Sequence, residues 1–228
     1  MTSSRTGFSA PSGPSVWRYL DTNWHRIEPL IWQQIEVVLV SMLTAGVLGV
    51  GIGVLVWNKP RWAGAAQSIA SIILTIPSLT MLVLFIPFFG LGWLPSVVAL
   101  VLYAQLPILR NTITGLRGVD SAILESAKGI GMSATRRLIR VQLPLAWPVV
   151  MTGLRVSTVL TFGISAIAAY INGPGLGNLV FTGLSRIGSA NSENQVLVGG
   201  IGIALLALVF DAAFLLLRRV TISGGLRV

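Results

Sequence analysis

The sequence predicts an all-α integral membrane protein with about five transmembrane helices. Its 228 residues are 54% hydrophobic and only 10% charged, with a mean hydropathy of +0.81, whereas soluble domains carry about 25% charged residues. Five apolar runs approach the roughly 20 residues that a helix needs to cross the hydrocarbon. Lys and Arg residues cluster in the segments between these runs, as in the connections of membrane proteins.

The predicted transmembrane helices follow one another along the chain. They cover Ile35 to Trp57, Ala65 to Phe89, Ser96 to Ile113, Ala146 to Ile171, and Val196 to Leu217. Glycines in the first run would let helices approach closely in lipid, and prolines in several others would kink them.

These runs also predict the domain organisation. The chain divides into a disordered or interfacial tail over residues 1–30, a transmembrane domain over 31–220 with a long connection at about 114–144, and a tail over 221–228.

The cationic residues predict how the chain is oriented. They lie between the first two runs, around the third connection and after the last run: Lys59, Arg61, Arg110, Arg117, Lys128, Arg136, Arg137, Arg140, Arg218, Arg219 and Arg227. The positive-inside rule places these segments in the cytoplasm. Five crossings then put the C-terminus in the cytoplasm and the N-terminus outside, against a smaller opposing group of Arg5, Arg18 and Arg26.

Composition excludes several function classes. The net charge is +9, but the cationic residues mark membrane topology rather than a nucleic-acid surface, so no nucleic-acid partner is expected. No cysteine is present, which excludes disulfides. No GxxxxGK[ST] loop, paired carboxylates or cluster of metal-ligating residues occurs. We therefore predict no catalytic residue, no metal and no cofactor bound by this chain.

The third connection, with the stretch ESAKGIGMSATRRLIRVQLP, is the longest. Asp120 is placed to cap a helix, SAILESAK, that ends at Gly129 and Gly131, and Ser133 to cap a second, ATRRLIRVQL, that stops near Pro144. Two short helices joined by a glycine bend would form a protruding foot. An amphipathic hairpin on the lipid surface fits equally well, because three arginines would suit anionic headgroups: Arg136, Arg137 and Arg140.

The spacing within this stretch resembles the EAA loop of binding-protein-dependent ABC importer permeases. In that family the pattern is Glu-Ala-Ala, three residues, Gly, nine residues, Ile, one residue, Leu-Pro; here Ser126 replaces Ala and Val141 replaces Ile. The resemblance implies a MetI-like permease fold with a cytoplasmic coupling-helix loop. It also implies the residues that couple to an ATPase subunit: Glu125, Ser126, Ala127, Gly131, Leu143 and Pro144.

Longer segments, 75–92 and 99–132, resemble permeases for glycine betaine, carnitine, choline and related osmoprotectants, over about residues 35–218. The resemblance implies a multi-pass inner-membrane transport subunit that is not an enzyme. Its implied partners are ABC ATPase subunits that use the ATP, a second permease, identical or paralogous, and an extracytoplasmic substrate-binding protein. The loop Asn172 to Gly177, NGPGLG here and often GAGGLG in that family, is expected to face outside, where the binding protein docks.

Other functions remain open at this point. An importer for methionine or another amino acid would keep the class and change the cargo. An ion-coupled carrier or channel would concentrate its informative residues in a charged or discontinuous-helix site at the membrane midplane. A membrane-surface scaffold without transport is a further alternative.

Two charged residues lie deep inside predicted transmembrane helices, away from the helix ends. Arg155 and Asp211 both sit about 11 to 12 Å from the cytoplasmic ends of their helices, at 1.5 Å per residue. Charges in lipid usually pair, so we predict that these two interact, within the chain or across a dimer interface. The alternative is that Arg155 extends to the inner headgroups while Asp211 bonds a helix cap or water.

Overall fold

The computed structural model describes residues 15–221, with side chains described up to residue 217. The described chain is helical, with four helices long and apolar enough to cross a membrane and one bent helix pair that could make a fifth crossing. Residues 1–14, about half of the predicted N-terminal tail, and 222–228, nearly all of the C-terminal one, lie outside the described residues.

Helix α1, Val16–Val56, is far longer than the first apolar run. The side chain of Ser15 caps it by accepting a hydrogen bond from the Arg18 N–H at 3.4 Å. Its 41 residues span about 60 Å at 1.5 Å per residue, roughly twice the 30 Å hydrocarbon thickness. The helix continues without a break through residue 30, where the sequence predicted a boundary.

The second apolar run was predicted as one helix, and this is wrong. It is divided into α2, Pro60–Thr75, and α3, Ser78–Phe89, with a bend of 98° between them. Ile76 adopts an extended backbone, φ −68° and ψ 129°, because the ring of Pro77 disfavours helical backbone at the preceding residue. The Tyr103 hydroxyl donates to the Ile76 carbonyl at 2.5 Å, so the carbonyl at the break is satisfied.

The bent pair nevertheless crosses the bundle. Lys59, just before α2, lines a groove together with Lys128 at one end of the molecule. Gly92, just after α3, donates its N–H to the Ile171 carbonyl at 2.9 Å, at the other end. The two ends of the pair therefore lie at opposite ends of the bundle, which fits a broken span, and with it the described chain has five candidate spans.

Helix α4, Trp93–Arg117, lies at the centre of the bundle between α1 and α7, Leu143–Ala168. Glycines bring these helices close: a Cβ on Gly49 or Gly53 of α1 would come within 2.7 Å of Ile108 or Thr112 of α4. Short α8, Gly177–Ser185, packs on α9, Ser192–Thr221, which leaves most of its own surface uncovered. The centre of the bundle is therefore packed by α4, and α9 lies at its edge.

The second helix of the third connection was predicted to stop near Pro144, which is also wrong. Helix α6, Ala134–Arg137, a π turn at Leu138–Gln142 and α7 form one continuous helix. In the π turn, the Leu143 N–H donates to the carbonyl of Leu138, five residues back. Pro144 has no N–H to satisfy, and the wider turn before it accommodates a ring that would strain a regular helix.

Candidate functional site

The third connection folds as the predicted hairpin at one end of the bundle. We call residues 118–142 the foot. Its first helix, α5, Ser121–Gly129, is capped by Asp120, whose carboxylate accepts from the Ala122 N–H at 2.8 Å. Ser133 caps α6 by accepting from the Arg136 N–H at 3.4 Å. Both predicted N-caps are therefore confirmed.

The bend between the two foot helices explains part of the motif spacing. Gly131 has φ +82°, a conformation that glycine adopts without steric cost. Its N–H donates to the Lys128 carbonyl at 3.0 Å, and the Met132 N–H donates to the Ala127 carbonyl at 3.1 Å. This pair of bonds is a Schellman C-cap, in which Ala127 and Gly131 occupy positions C3 and C′. The four-residue spacing of Ala127 and Gly131 thus builds the end of α5.

The structure separates the other motif residues into two groups. Glu125 and Ser126 are exposed on α5, and the Ser126 hydroxyl donates to the Ala122 carbonyl at 2.9 Å. Leu143 and Pro144 instead lie where the continuous helix leaves the foot and enters α7. The motif therefore marks a hairpin and its junction with a transmembrane helix, rather than one cluster of side chains.

A groove of about 620 Å³ separates the foot from the end of α1. Its lining includes one acidic and three cationic side chains: Glu125, Lys59, Lys128 and Arg137. Across residues 15–217, none of the four is in an ion pair. Elsewhere the foot exposes three isoleucines, Ile123 at 43%, Ile130 at 76% and Ile139 at 59%. The foot therefore presents both unpaired charges and separate exposed apolar side chains.

The structure brings Arg155 of α7 and Asp211 of α9 together within one chain. Arg155 Nε donates to one carboxylate oxygen of Asp211, and Nη2 donates to the other at 2.6 Å. The side chains are 37% and 23% exposed, respectively. Fork-to-fork pairing of this kind fixes the relative orientation of both groups and is stronger than a single hydrogen bond.

The far end of the bundle holds a second glycine-rich turn, residues 172–178, which we call the elbow. Asn172 has a left-handed backbone, φ +57°, and the Asn178 side chain donates to the carbonyls of Gly173 and Gly175 at 2.8 and 3.0 Å. Most of the elbow is buried, including Gly173, Gly175 and Gly177. Asn172 itself is exposed, and beyond the elbow a continuous exposed segment runs over residues 184–190 and includes Ile187, which is 79% exposed.

Gln34 fastens the elbow, and sequence reasoning missed it. This fully buried side chain of α1 donates to Ser165 of α7 at 2.5 Å and accepts from the Leu176 N–H at 3.2 Å. The neighbouring Gln33 accepts from the Gly175 N–H at 3.4 Å. A glutamine at the edge of an apolar run was the available signal, because polar side chains between membrane helices serve as hydrogen-bonding contacts.

Comparison with known proteins gives consistent results over nearly the whole chain. Residues 45–222 match the family described as binding-protein-dependent transport system inner membrane component. The choline transport system permease protein OpuBB of Bacillus subtilis (strain 168) is 37% identical over 212 residues, which cover 93% of this chain and 96% of that protein. The osmoprotectant import permease protein OsmW of Salmonella typhimurium is 36% identical over 214 residues, 92% of this chain and 98% of that protein.

Solved structures share the fold. A chain of the MetNI methionine ABC transporter, in an inward-facing conformation, matches with a TM-score of 0.75 and 20% identity, and the match covers 89% of this chain and 98% of that one. The all-α, MetI-like fold predicted from the sequence is therefore confirmed.

Proposed function

Because this chain belongs to the family of binding-protein-dependent transport system inner membrane components, we propose that it is the transmembrane subunit of an ATP-driven importer for osmoprotectants. The cargo class, glycine betaine, carnitine, choline and proline betaine, is supported by relatives named as choline and osmoprotectant permeases at 37% and 36% identity. The five candidate spans of the described chain fit a multi-pass inner-membrane protein.

The importer we propose contains partners that this chain requires for transport. Cytoplasmic ATPase subunits bind the foot and hydrolyse ATP, and an extracytoplasmic binding protein delivers the cargo. A second permease subunit, identical or paralogous, completes the path. The buried side chains of α4 fill the centre of this bundle, and the charged face with Arg155 and Asp211 lies at its edge, so the path needs a further subunit.

We orient the foot and the C-terminus toward the cytoplasm, and the N-terminus outside. Lys59, Lys128 and Arg137 meet at the foot end of the bundle, which supports this orientation through the positive-inside rule. Trp57 lines the same groove, at the headgroup level that indoles prefer. The exposed segment from Leu184 to Ala190 then faces outside and is our candidate docking surface for the binding protein.

The observation that carries the proposed mechanism is the continuous helix from Ala134 to Ile171. Residues 134–142 of this helix belong to the foot, and the remainder crosses the bundle beside α4. A push on the foot therefore acts on a transmembrane helix directly, without a flexible linker. Closure of the ATPase subunits would tilt α7 as a rigid body and alternate access between the two sides.

Within the foot we assign coupling to Glu125, Ser126, Ala127 and Gly131, and the junction to Leu143 and Pro144. Ala127 and Gly131 shape the bend, while exposed Glu125 offers a carboxylate for a basic group on the ATPase. The adjacent Ile130, 76% exposed at the bend, supplies an apolar contact.

Co-purification of an ATPase subunit with the full-length permease tests this assignment. Gly131→Asp and Glu125→Lys should abolish co-purification, because the first strains the left-handed backbone of the bend and places an anion on its surface, and the second reverses the contact charge. Gly188→Asp is a matched control: Gly188 also has a left-handed backbone, φ +93°, and open space around it, but it lies at the opposite end.

The control should retain the ATPase. Retention in the two foot variants, with the permease still folded, would contradict docking at the foot and support the hairpin on the lipid surface. Loss in all three variants would mean that the substitutions act through folding. Comparing Ile130→Lys, which places a charge on the exposed bend, with Ile130→Ala would then decide whether this surface binds.

A further inference from the structure

We propose that the Arg155–Asp211 pair is a site of substrate exchange, at which a zwitterionic solute takes the place of the internal ion pair during transport. This inference rests on the proposed function and identifies residues that meet the cargo. In the present structure the pair is closed, with each ion serving as the other's counter-charge.

The contacts of the pair explain why a zwitterion, rather than a solute with a single charge, replaces the internal ion pair. Two of the five N–H groups of Arg155 bind the two carboxylate oxygens of Asp211. Within the described residues, no other charged side chain forms an ion pair with either group. Separating them inside the membrane would leave two unpaired charges, which is costly. A ligand that carries one negative and one positive group removes that cost, because both ions are paired before and after.

The position of the pair argues against a purely lipid-facing role. Arg155 lies about 12 Å along α7 from Trp147, which is in the first turns of α7 next to the foot. Its side chain is 37% exposed, and that of Asp211 is 23% exposed. Charged groups at this depth face a bundle interior or a water-filled cavity rather than hydrocarbon. This face of α7 and α9 is therefore one that water and solute reach in the assembled importer.

The surface around Arg155 has room for a solute. Thr152 and Val159, three and four residues away, are its neighbours on the helix surface, and both are exposed. Gly163, one further turn along the same face, is exposed, and a Cβ added at this position would have no neighbouring atom within 4 Å. Short side chains on this face leave the guanidinium accessible along the helix.

The exchange involves no bond formation and no proton transfer. The carboxylate of a betaine or of carnitine occupies the guanidinium fork in place of the Asp211 oxygens. Its quaternary ammonium, which has no N–H to donate, lies beside the Asp211 carboxylate through Coulomb attraction alone. When the solute leaves, the two side chains pair again and close the site.

Exchange of this kind distinguishes a zwitterion from a simple cation. Choline carries the ammonium but no carboxylate, so it would pair with Asp211 and leave Arg155 without a counter-charge. Arg155 is thus a specificity determinant that favours solutes carrying a carboxylate over choline.

The decisive experiment replaces both ions together, with Arg155→Met and Asp211→Leu, in the complete importer reconstituted in vesicles. Replacing both ions together leaves neither charge without its partner, and apolar residues of similar size in place of an ion pair are often neutral or stabilising. We therefore expect unchanged assembly and thermal midpoint, but glycine betaine uptake reduced at least about tenfold, as for loss of a charge-assisted contact. Wild-type uptake by this double variant would overturn the proposal. It would mean that the ion pair only holds α7 and α9 together, a role that apolar side chains also fill.

A second variant covers the case in which the double variant does not assemble. Arg155→Lys keeps the charge and the pairing with Asp211 but loses the planar fork, so glycine betaine uptake should fall several-fold with assembly intact. Unchanged uptake in this variant would also refute the exchange site. Absence of osmoprotectant uptake in assembled wild-type vesicles would instead refute the proposed function, so the two failures are distinguishable.

Discussion

The foot and the elbow both depend on glycine, but for different physical reasons. Gly131 in the foot has φ +82° and open space where a Cβ would point. Gly177 in the elbow begins helix α8, yet a Cβ there would collide with the backbone of Ala166, 2.9 Å from its carbonyl carbon. The foot therefore needs glycine for its backbone conformation, whereas the elbow needs it for space.

The two regions also differ in how far their contacts reach along the chain. The caps and the Schellman bonds of the foot join residues at most five apart. The elbow is held by Gln34, which bonds Ser165 and Leu176, partners 131 and 142 positions away. Changes in the foot should therefore stay local, whereas changes in the elbow should loosen the junction of α1, α7 and α8.

The largest effect is expected from Gly177→Ala. The new methyl group would overlap the carbonyl of Ala166, which belongs to α7 and cannot move without shifting that helix. We expect the free energy of unfolding to fall by about 3 kcal/mol, the upper range for overpacking, seen as a lower thermal midpoint of the purified chain. Gly163→Ala is the control, because Gly163 in α7 has nothing within 4 Å of a built Cβ. Equal midpoints for the two variants would contradict the steric explanation.

Gln34→Leu should have the next largest effect. Leucine matches the size of glutamine but leaves the buried Leu176 N–H without an acceptor and removes the bond to Ser165. An unsatisfied buried donor costs about 1–3 kcal/mol, measured by the same thermal midpoint. Gln33→Leu removes only a long, 3.4 Å bond from an exposed side chain and should cost less. If Gln33→Leu were the more damaging change, Gln34 would not be the fastening residue.

Local chemistry made the foot predictable from sequence. Asp120, Ser133 and Gly131 follow cap rules that depend on a few neighbouring residues, and all three occupy the predicted roles. The continuation of the helix through Pro144 was not predictable, because the π turn that accommodates the proline leaves no sequence signal of its own. The break at Pro77 did have a sequence signal, because a proline disfavours helical backbone at the preceding residue. The prediction of one helix over Ala65 to Phe89 rested on hydropathy, which does not detect such a break.

Long-range features were predictable only where charge gave a reason to look. Arg155 and Asp211 stand out because ions are rare in apolar helices, and equal depth suggested that they interact. Gln34 carries no charge, and its partners follow from how α1 packs on α7, which no local pattern reveals. The elbow was expected to face outside, where a binding protein docks, and its loop sequence gave no sign that Gly173 and Gly175 are buried against neighbouring helices.

Gly131→Ala should have a moderate effect confined to the foot. Alanine in the left-handed region costs roughly 1–2 kcal/mol, and no steric clash adds to it because the Cβ would meet nothing within 4 Å. Hydrogen exchange at the end of α5 should therefore accelerate, while the thermal midpoint of the bundle stays unchanged. Gly129→Ala, where φ is not positive, should leave exchange the same or slower. A fall in the global midpoint for Gly131→Ala would show that the foot is not locally stabilised.

The smallest effect is expected from the helix caps. It tests whether a change in the foot affects only the helix in which it is made. Asp120→Ala removes the acceptor of the Ala122 N–H, a 2.8 Å bond, and should cost α5 about 1 kcal/mol of local stability. Ser133→Ala removes a longer, 3.4 Å bond at the start of α6, and α6 continues into α7, whose packing supports it. We therefore expect faster hydrogen exchange in α5 for Asp120→Ala and little change in α6 for Ser133→Ala. The reverse order would mean that the junction with α7 does not support the foot, and that coupling of the foot to the transmembrane helix is weaker than the continuous helix implies.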